Sequence, residues 1–149
     1  MTQRTYIRDG RAPIPKNELT SRIMSLIRAK NTGPELLLRK GLLKAGLRGY
    51  KLHWDKVPGR PDICYPQKKL ALFVHGCYWH RCPYCKSAVP RTHKKFWKDK
   101  FEKNVKRDKI KAVLLRRKGW SVKVAWECQI KKRLSKVIEK IQRDWNKLN

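Results

Sequence analysis

Apolar residues recur along the chain in two periods, and the switches between them outline the elements. Ser21 to Ala29 sets Ile23, Met24 and Ile27 on one side of a short helix. Thr32-Gly33-Pro34-Glu35 then has the form of a capping box with an early proline. It opens a helix that runs through Leu36, Leu37, Leu38, Leu42 and Leu43 to Gly46. Tyr50 to His53 reads as a strand, Val57-Pro58-Gly59-Arg60-Pro61 as a turn, and Asp62 to Tyr65 as a second strand. Leu70 to Val74 is apolar at every position, the pattern of a central strand covered on both faces.

The segment from His75 to Pro90 has neither period and reads as a loop. Thr92 to Lys118 follows as a long, very basic helix with room for one break, closed by Gly119. Trp120 to Trp126 sets Val122, Val124 and Trp126 against Ser121, Lys123 and Ala125, which predicts a strand with one wet face. Ser135 to Leu148 is a last amphipathic helix. Residues 1–16 are polar, basic and interrupted by Pro and Gly, as in an arm ordered by its partner or in plain disorder. The pattern as a whole predicts that arm followed by one domain, residues 17–149. Its class is α/β, with helices on either side of a mixed sheet of three to five strands.

Charge narrows the partners. Thirty-nine Lys and Arg stand against eleven Asp and Glu, a formal charge of +28 that repels itself unless a polyanion neutralises it. Nucleic acid is therefore the expected partner. A membrane is the weaker reading, because no apolar run reaches the roughly eighteen residues a span needs and the cations are not confined to one helix face. The first residues contain no apolar stretch of the kind that marks a secretory signal, so a cytoplasmic, reducing compartment is expected. There, five cysteines are thiols or metal ligands in preference to disulfides.

Three of those cysteines, Cys77, Cys82 and Cys85, share one loop, and Cys128 directly follows the strand that ends at Trp126-Glu127. Four thiolates with a Cys-x-x-Cys at 82 and 85 suit a tetrahedral structural zinc with no open position. Cys64, inside an apolar strand, reads as a small core residue. Asp62 starts one strand and Val74-His75 ends the next, which brings the carboxylate beside the Val74 carbonyl and the His75 ring, a corner suited to Mg²⁺. By itself a Pro-Asp pair serves equally as a strand-start turn, and the following strand lacks the Glu-x-Lys usual in restriction-type nucleases. In the long helix Phe101, Val105, Asp108, Ala112 and Leu115 share a stripe, so Asp108 lies among apolar residues and needs a partner. A salt bridge to a neighbouring Lys or Arg would also satisfy it. Charge and thiols alone fit a non-catalytic, zinc-stabilised nucleic-acid-binding module as well as an enzyme.

The segment His75-Gly76-Cys77-Tyr78-Trp79-His80 closely resembles the His-Gly-Cys-aromatic-Trp-His of the very short patch repair endonuclease family. Flanking it in compatible order are Ser21-Arg22-x-Met24, Asn31-Thr32-x-x-Glu35, Pro58-Gly59-Arg60-Pro61-Asp62, Phe96-Trp97, Asn104-x-x-Arg107-Asp108, Gly119-Trp120 and Trp126-Glu127-Cys128. The resemblance spans about residues 20 to 130. It implies a restriction-endonuclease-like fold and Mg²⁺-dependent hydrolysis of the phosphodiester 5′ to the thymine of a T:G mismatch in double-stranded DNA. By position it makes Asp62 the metal-binding aspartate, His75 an active-site histidine, His80 the general base, Asp108 its acidic partner, and Glu35 a glutamate beside the metal's waters. Tyr78 and Trp79 match aromatics that wedge into the base stack, with Met24 entering from the other groove. An enzyme of this kind would work in the bacterial cytoplasm, at the nucleoid. Two positions depart from the pattern. Val74 stands where some members have Thr, so a metal contact there falls to its backbone carbonyl. Cys82 stands where some have a zinc-binding His, with an extra residue before Cys85. A restriction-type nuclease of the same fold with another target is the remaining alternative.

Overall fold

The computed structural model describes residues 18–19 and 30–148. The arm expected over residues 1–16, the helix expected from Ser21 to Ala29 and the wedge residue Met24 lie outside them. In chain order the elements are α1 (Gly33–Lys44), β1 (Lys51–Leu52), β2 (Ile63–Tyr65), a 3₁₀ turn (Pro66–Lys68), β3 (Leu70–His75), α2 (Lys94–Arg117), β4 (Ser121–Trp126) and α3 (Glu127–Lys147).

The four strands form one mixed sheet in the order β1-β2-β3-β4, antiparallel at the first two pairings and parallel at the last. Successive side chains of a strand point to opposite faces, so the paired strands sort their residues into two cores. Ile63, Tyr65, Leu70 and Leu72 pack with Leu38, Leu42, Ile138 and Ile141 of α1 and α3. Cys64, Ala71 and Phe73 pack on the other face with Leu115 of α2 and with Trp120 and Val122. Full burial of each Leu or Ile contributes roughly 1.5–3 kcal/mol, which is why a short sheet with helices on both faces holds.

Local chemistry sets the boundaries. Thr32 caps α1 by accepting from the Glu35 amide at 3.5 Å. The carboxylate of Glu35 accepts from the Asn31 amide at 3.1 Å, not from Thr32, so the reciprocal half of the box sits one residue early. At Gly41 an added Cβ would stand 3.0 Å from Ile138 Cδ1, so glycine there lets α1 and α3 approach closely. The long basic helix is unbroken from Lys94 to Arg117, and Gly119 leaves it at φ +82°.

Two expectations need correction. β4 does not have one dry and one wet face: Val124 is exposed while Ala125 is buried. As the edge strand β4 has a helix on each side; Val122 is covered from the α2 side and Ala125 from the α3 side, and the α2 cover stops short of Val124. The last helix starts at Glu127, well before Ser135, and Arg133 breaks its backbone at φ −142°, ψ 47°. The turns before that break, which carry Cys128, hold one buried apolar residue, Ile130, too few to show a helical period in the sequence.

Candidate active site

The hairpin of β2 and β3 places Asp62 against the end of β3. The Val74 amide donates to Asp62 Oδ2 at 2.7 Å. Burial raises the Asp62 carboxyl above its ordinary pKa; the Val74 amide opposes that and the nearby Glu35 carboxylate adds to it. Glu35 is only 3% exposed and accepts from Arg39 Nη2 at 3.1 Å. Two carboxylates so placed have the donor set of a hard divalent cation.

One member of this group was not foreseen. His53 Nε2 lies 3.5 Å from Glu35 Oε2 and its Nδ1 lies 3.7 Å from Asp62 Oδ1. Glu35, His53 and Asp62 each offer a ligand atom within 4.8 Å of the others. The signal was in the register: Leu52 pairs with Ile63, so the next residue along β1 faces Asp62.

Across the cleft, His75 and His80 stack with ring centroids 4.1 Å apart and planes 5° from parallel. Asp108, from the middle of α2, stands 2.6 Å from His80 Nδ1 and 3.9 Å from His75 Nε2. Burial, and then the neighbouring His80, push the His75 pKa down to about 4 against the pull of Asp108, so His75 is neutral at physiological pH. Burial would raise Asp108, but the hydrogen bond and charge of His80 outweigh it and hold the carboxyl below its ordinary range. Asp108 therefore stays ionised beside a ring whose second nitrogen, Nε2, is left for a proton from elsewhere.

These groups share a cleft of about 530 Å³ whose walls include Glu35, Asp62, Val74, His75, His80 and Asp108. Tyr78 and Trp79 also line it, at an edge-on contact of 5.1 Å. Behind them the buried rings of Trp97 and Phe101 from α2 form a platform, 5.7 Å from Trp79 and 5.2 Å from Tyr78. The loop is pinned by Asn104 Nδ2, which donates to the Trp79 carbonyl at 3.2 Å.

Next to the cleft, the sulfurs of Cys77, Cys82, Cys85 and Cys128 lie within 4.8 Å of one another. Cys82 to Cys128 is 3.8 Å and Cys85 to Cys77 is 3.7 Å, far beyond a disulfide bond. A tetrahedron of metal–sulfur bonds of about 2.3 Å has sulfur–sulfur edges of about 3.8 Å, so the four thiols fit such an ion. Burial holds the Cys77 and Cys128 thiols above their ordinary range. Burial opposes ionisation of Cys82 too, yet the amides of Tyr84 and Cys85 and the neighbouring thiols bring it below. Cys64 is fully buried in the sheet, apart from the cluster, as its place in an apolar strand predicts.

Comparison with known proteins fixes the lineage of this arrangement. The profile of the family described as DNA mismatch endonuclease Vsr matches residues 14–86. A type II nicking enzyme of Xanthomonas oryzae pv. oryzae is 40% identical over 108 residues, covering 72% of this chain and 79% of its own. Another, from Neisseria meningitidis, is 34% identical over 126 residues, 80% of this chain and 89% of its own. The DNA mismatch endonuclease Vsr of Escherichia coli is 34% identical over 113 residues, 76% of this chain and 72% of its own. The chain belongs to the Vsr family.

As a Vsr-family protein it is a DNA endonuclease, a hydrolase of phosphodiester bonds, on a restriction-endonuclease-like mixed sheet. That excludes the reading as a mere binding module. Of the residues singled out by sequence, Glu35, Asp62, Val74, His75, Tyr78, Trp79, His80 and Asp108 meet in one cleft, and the four cysteines meet beside it. No helix among the described residues is long and apolar enough to cross a membrane.

Proposed function

We propose that this Vsr-family enzyme nicks one strand of duplex DNA 5′ to the thymine of a T:G mismatch, with Mg²⁺ at Asp62 and zinc at the four thiols. The observation that carries this reading is the pairing, across one cleft, of the Glu35–Asp62 carboxylates with the His80–Asp108 dyad, at the foot of the Tyr78–Trp79 wedge. His80 takes the proton of the attacking water on Nε2, while Asp108 holds Nδ1 and stabilises the imidazolium that forms. The neutral ring of His75 stacks on His80 and keeps its plane fixed. Asp62, with the Val74 carbonyl, would hold Mg²⁺, whose charge supports the negative phosphorane and the leaving 3′-oxygen. Glu35 would order the waters of such a cation. Tyr78 and Trp79 enter the stack at the mismatch, where a wobble pair lowers the few kcal/mol that unstacking costs. Met24 is assigned the matching entry from the opposite groove. The enzyme acts on nucleoid DNA in the bacterial cytoplasm.

The test is cleavage of matched, G:T-mismatched and otherwise mismatched duplexes, labelled on each strand in turn. A single nick 5′ to the mismatched thymine is expected. Equal cutting of matched DNA would favour a restriction-type enzyme with another target.

A further inference from the structure

Behind the two cleft carboxylates stand two side chains to which this reaction gives no task. Arg39 and His53 are 12% and 16% exposed, and neither lines the cleft that Glu35 and Asp62 face. Arg39 Nη2 lies 3.1 Å from Glu35 Oε2 and 3.3 Å from His53 Nε2. Nε2 also lies 3.5 Å from Glu35 Oε2, so the ring edge sits against both the guanidinium and that carboxylate. Nδ1 faces Asp62 Oδ1 at 3.7 Å. The other oxygen, Oδ2, already holds the Val74 amide.

The backbone enforces the same placement. The His53 amide donates to the Asp62 carbonyl at 3.1 Å, and His53 turns the chain there at φ +46°. Arg39 Nε is buried with no hydrogen-bond partner among the described residues, so the guanidinium is not placed to satisfy all its donors. What its placement does achieve is the contact with Glu35 and His53 together.

We propose that Arg39 and His53 are positioning residues for the cation-binding carboxylates: Arg39 anchors Glu35 and backs the ring of His53, and that ring with the Val74 amide confines the Asp62 carboxylate from two sides. The inference rests on the reading of Asp62 as the metal-binding carboxylate. A group that orients a metal ligand acts on affinity for the ion, commonly by ten- to a hundred-fold, whereas a purely structural ion-pair network acts on melting alone. The donor side also matters, because the amide nitrogen of Asn reaches the place of Nδ1 and that of Gln reaches the place of Nε2.

The full-length, zinc-loaded chain is titrated with Mn²⁺, followed by loss of the free-ion electron paramagnetic resonance signal, with melting temperature and zinc content measured alongside. Asp62→Asn is expected to lose cleft binding. His53→Ala is expected to weaken it about ten-fold with zinc content unchanged, His53→Asn to recover most of it, and His53→Gln to resemble His53→Ala. Wild-type Mn²⁺ affinity in His53→Ala overturns the proposal. If His53→Ala does not fold, equal affinities in the Asn and Gln variants overturn it. A wild-type isotherm in Asp62→Asn removes the metal reading itself, and this inference with it, so the two failures are told apart.

Discussion

His80 Nδ1 stands 2.6 Å from Asp108 Oδ2, and the contact joins a residue of the cleft loop to the middle of α2. Because the carboxylate fills Nδ1, the proposed mechanism gives proton transfer to Nε2. His80→Ala is therefore expected to lower nicking of a T:G duplex by about two to four orders of magnitude, the usual worth of a positioned base. Binding of the same duplex should be unchanged. Single-turnover cleavage and a gel-shift titration of the variant check both halves.

Acid should expose the dyad in a definite direction. The Asp108 carboxyl is held below its ordinary value of 3.8, so the unfolded chain binds that proton more readily than the folded one. Its contribution to stability is fully present above that value and is lost as pH falls through the lower, folded-state pKa. The carboxyl-carbon shift of Asp108, followed by nuclear magnetic resonance, should titrate with a midpoint below the ordinary value. A midpoint above it would mean that burial wins over His80.

One zinc per chain is expected from elemental analysis of the purified protein. Structural zinc contributes on the order of 10 kcal/mol, comparable with the roughly 5–15 kcal/mol that holds a whole domain. Cys128→Ala should thus lose both the metal and cooperative melting. Retention of either would show that the fourth thiol is not a ligand.

Trp79→Ala should spare the fold, since Trp97 and Phe101 carry the buried part of the aromatic platform. On the proposed function it removes the wedge, and with it selectivity for a weakened stack. The ratio of mismatched to matched cleavage is expected to fall, while melting temperature stays near wild type. An unchanged ratio would assign discrimination to other contacts.

The readable parts of this chain were those where a local pattern and a local cause coincide. The Thr32 cap, the apolar run of β3 and the Gly119 exit all follow from neighbours in sequence, and each stands where expected. Asp108 was legible because a carboxylate in an apolar helical stripe demands a partner. Three of the four histidines gather at or behind the cleft, yet His53 gave no local sign. Its place depends on the β1–β2 register, a property of two strands at once. The early start of α3 was missed for a related reason: its first turns offer a single buried apolar residue, Ile130, and join the rest through the Cys128 amide on Cys77 Sγ, a contact between distant segments.

The connection between β2 and β3 touches no reacting group, yet it determines which atom Asp62 meets. It turns through the 3₁₀ segment Pro66–Lys68 and leaves by Lys69 at φ +50°. Side chains alternate faces along a strand, so adding or removing one residue there would exchange the two cores and carry the Asp62 carboxylate away from Val74. Residues 86–93, beyond the last loop thiol and before α2, belong to no strand pairing and set no such register. A change of length is thus costly in the first connection through the register it sets, a constraint on length where there is none on chemistry.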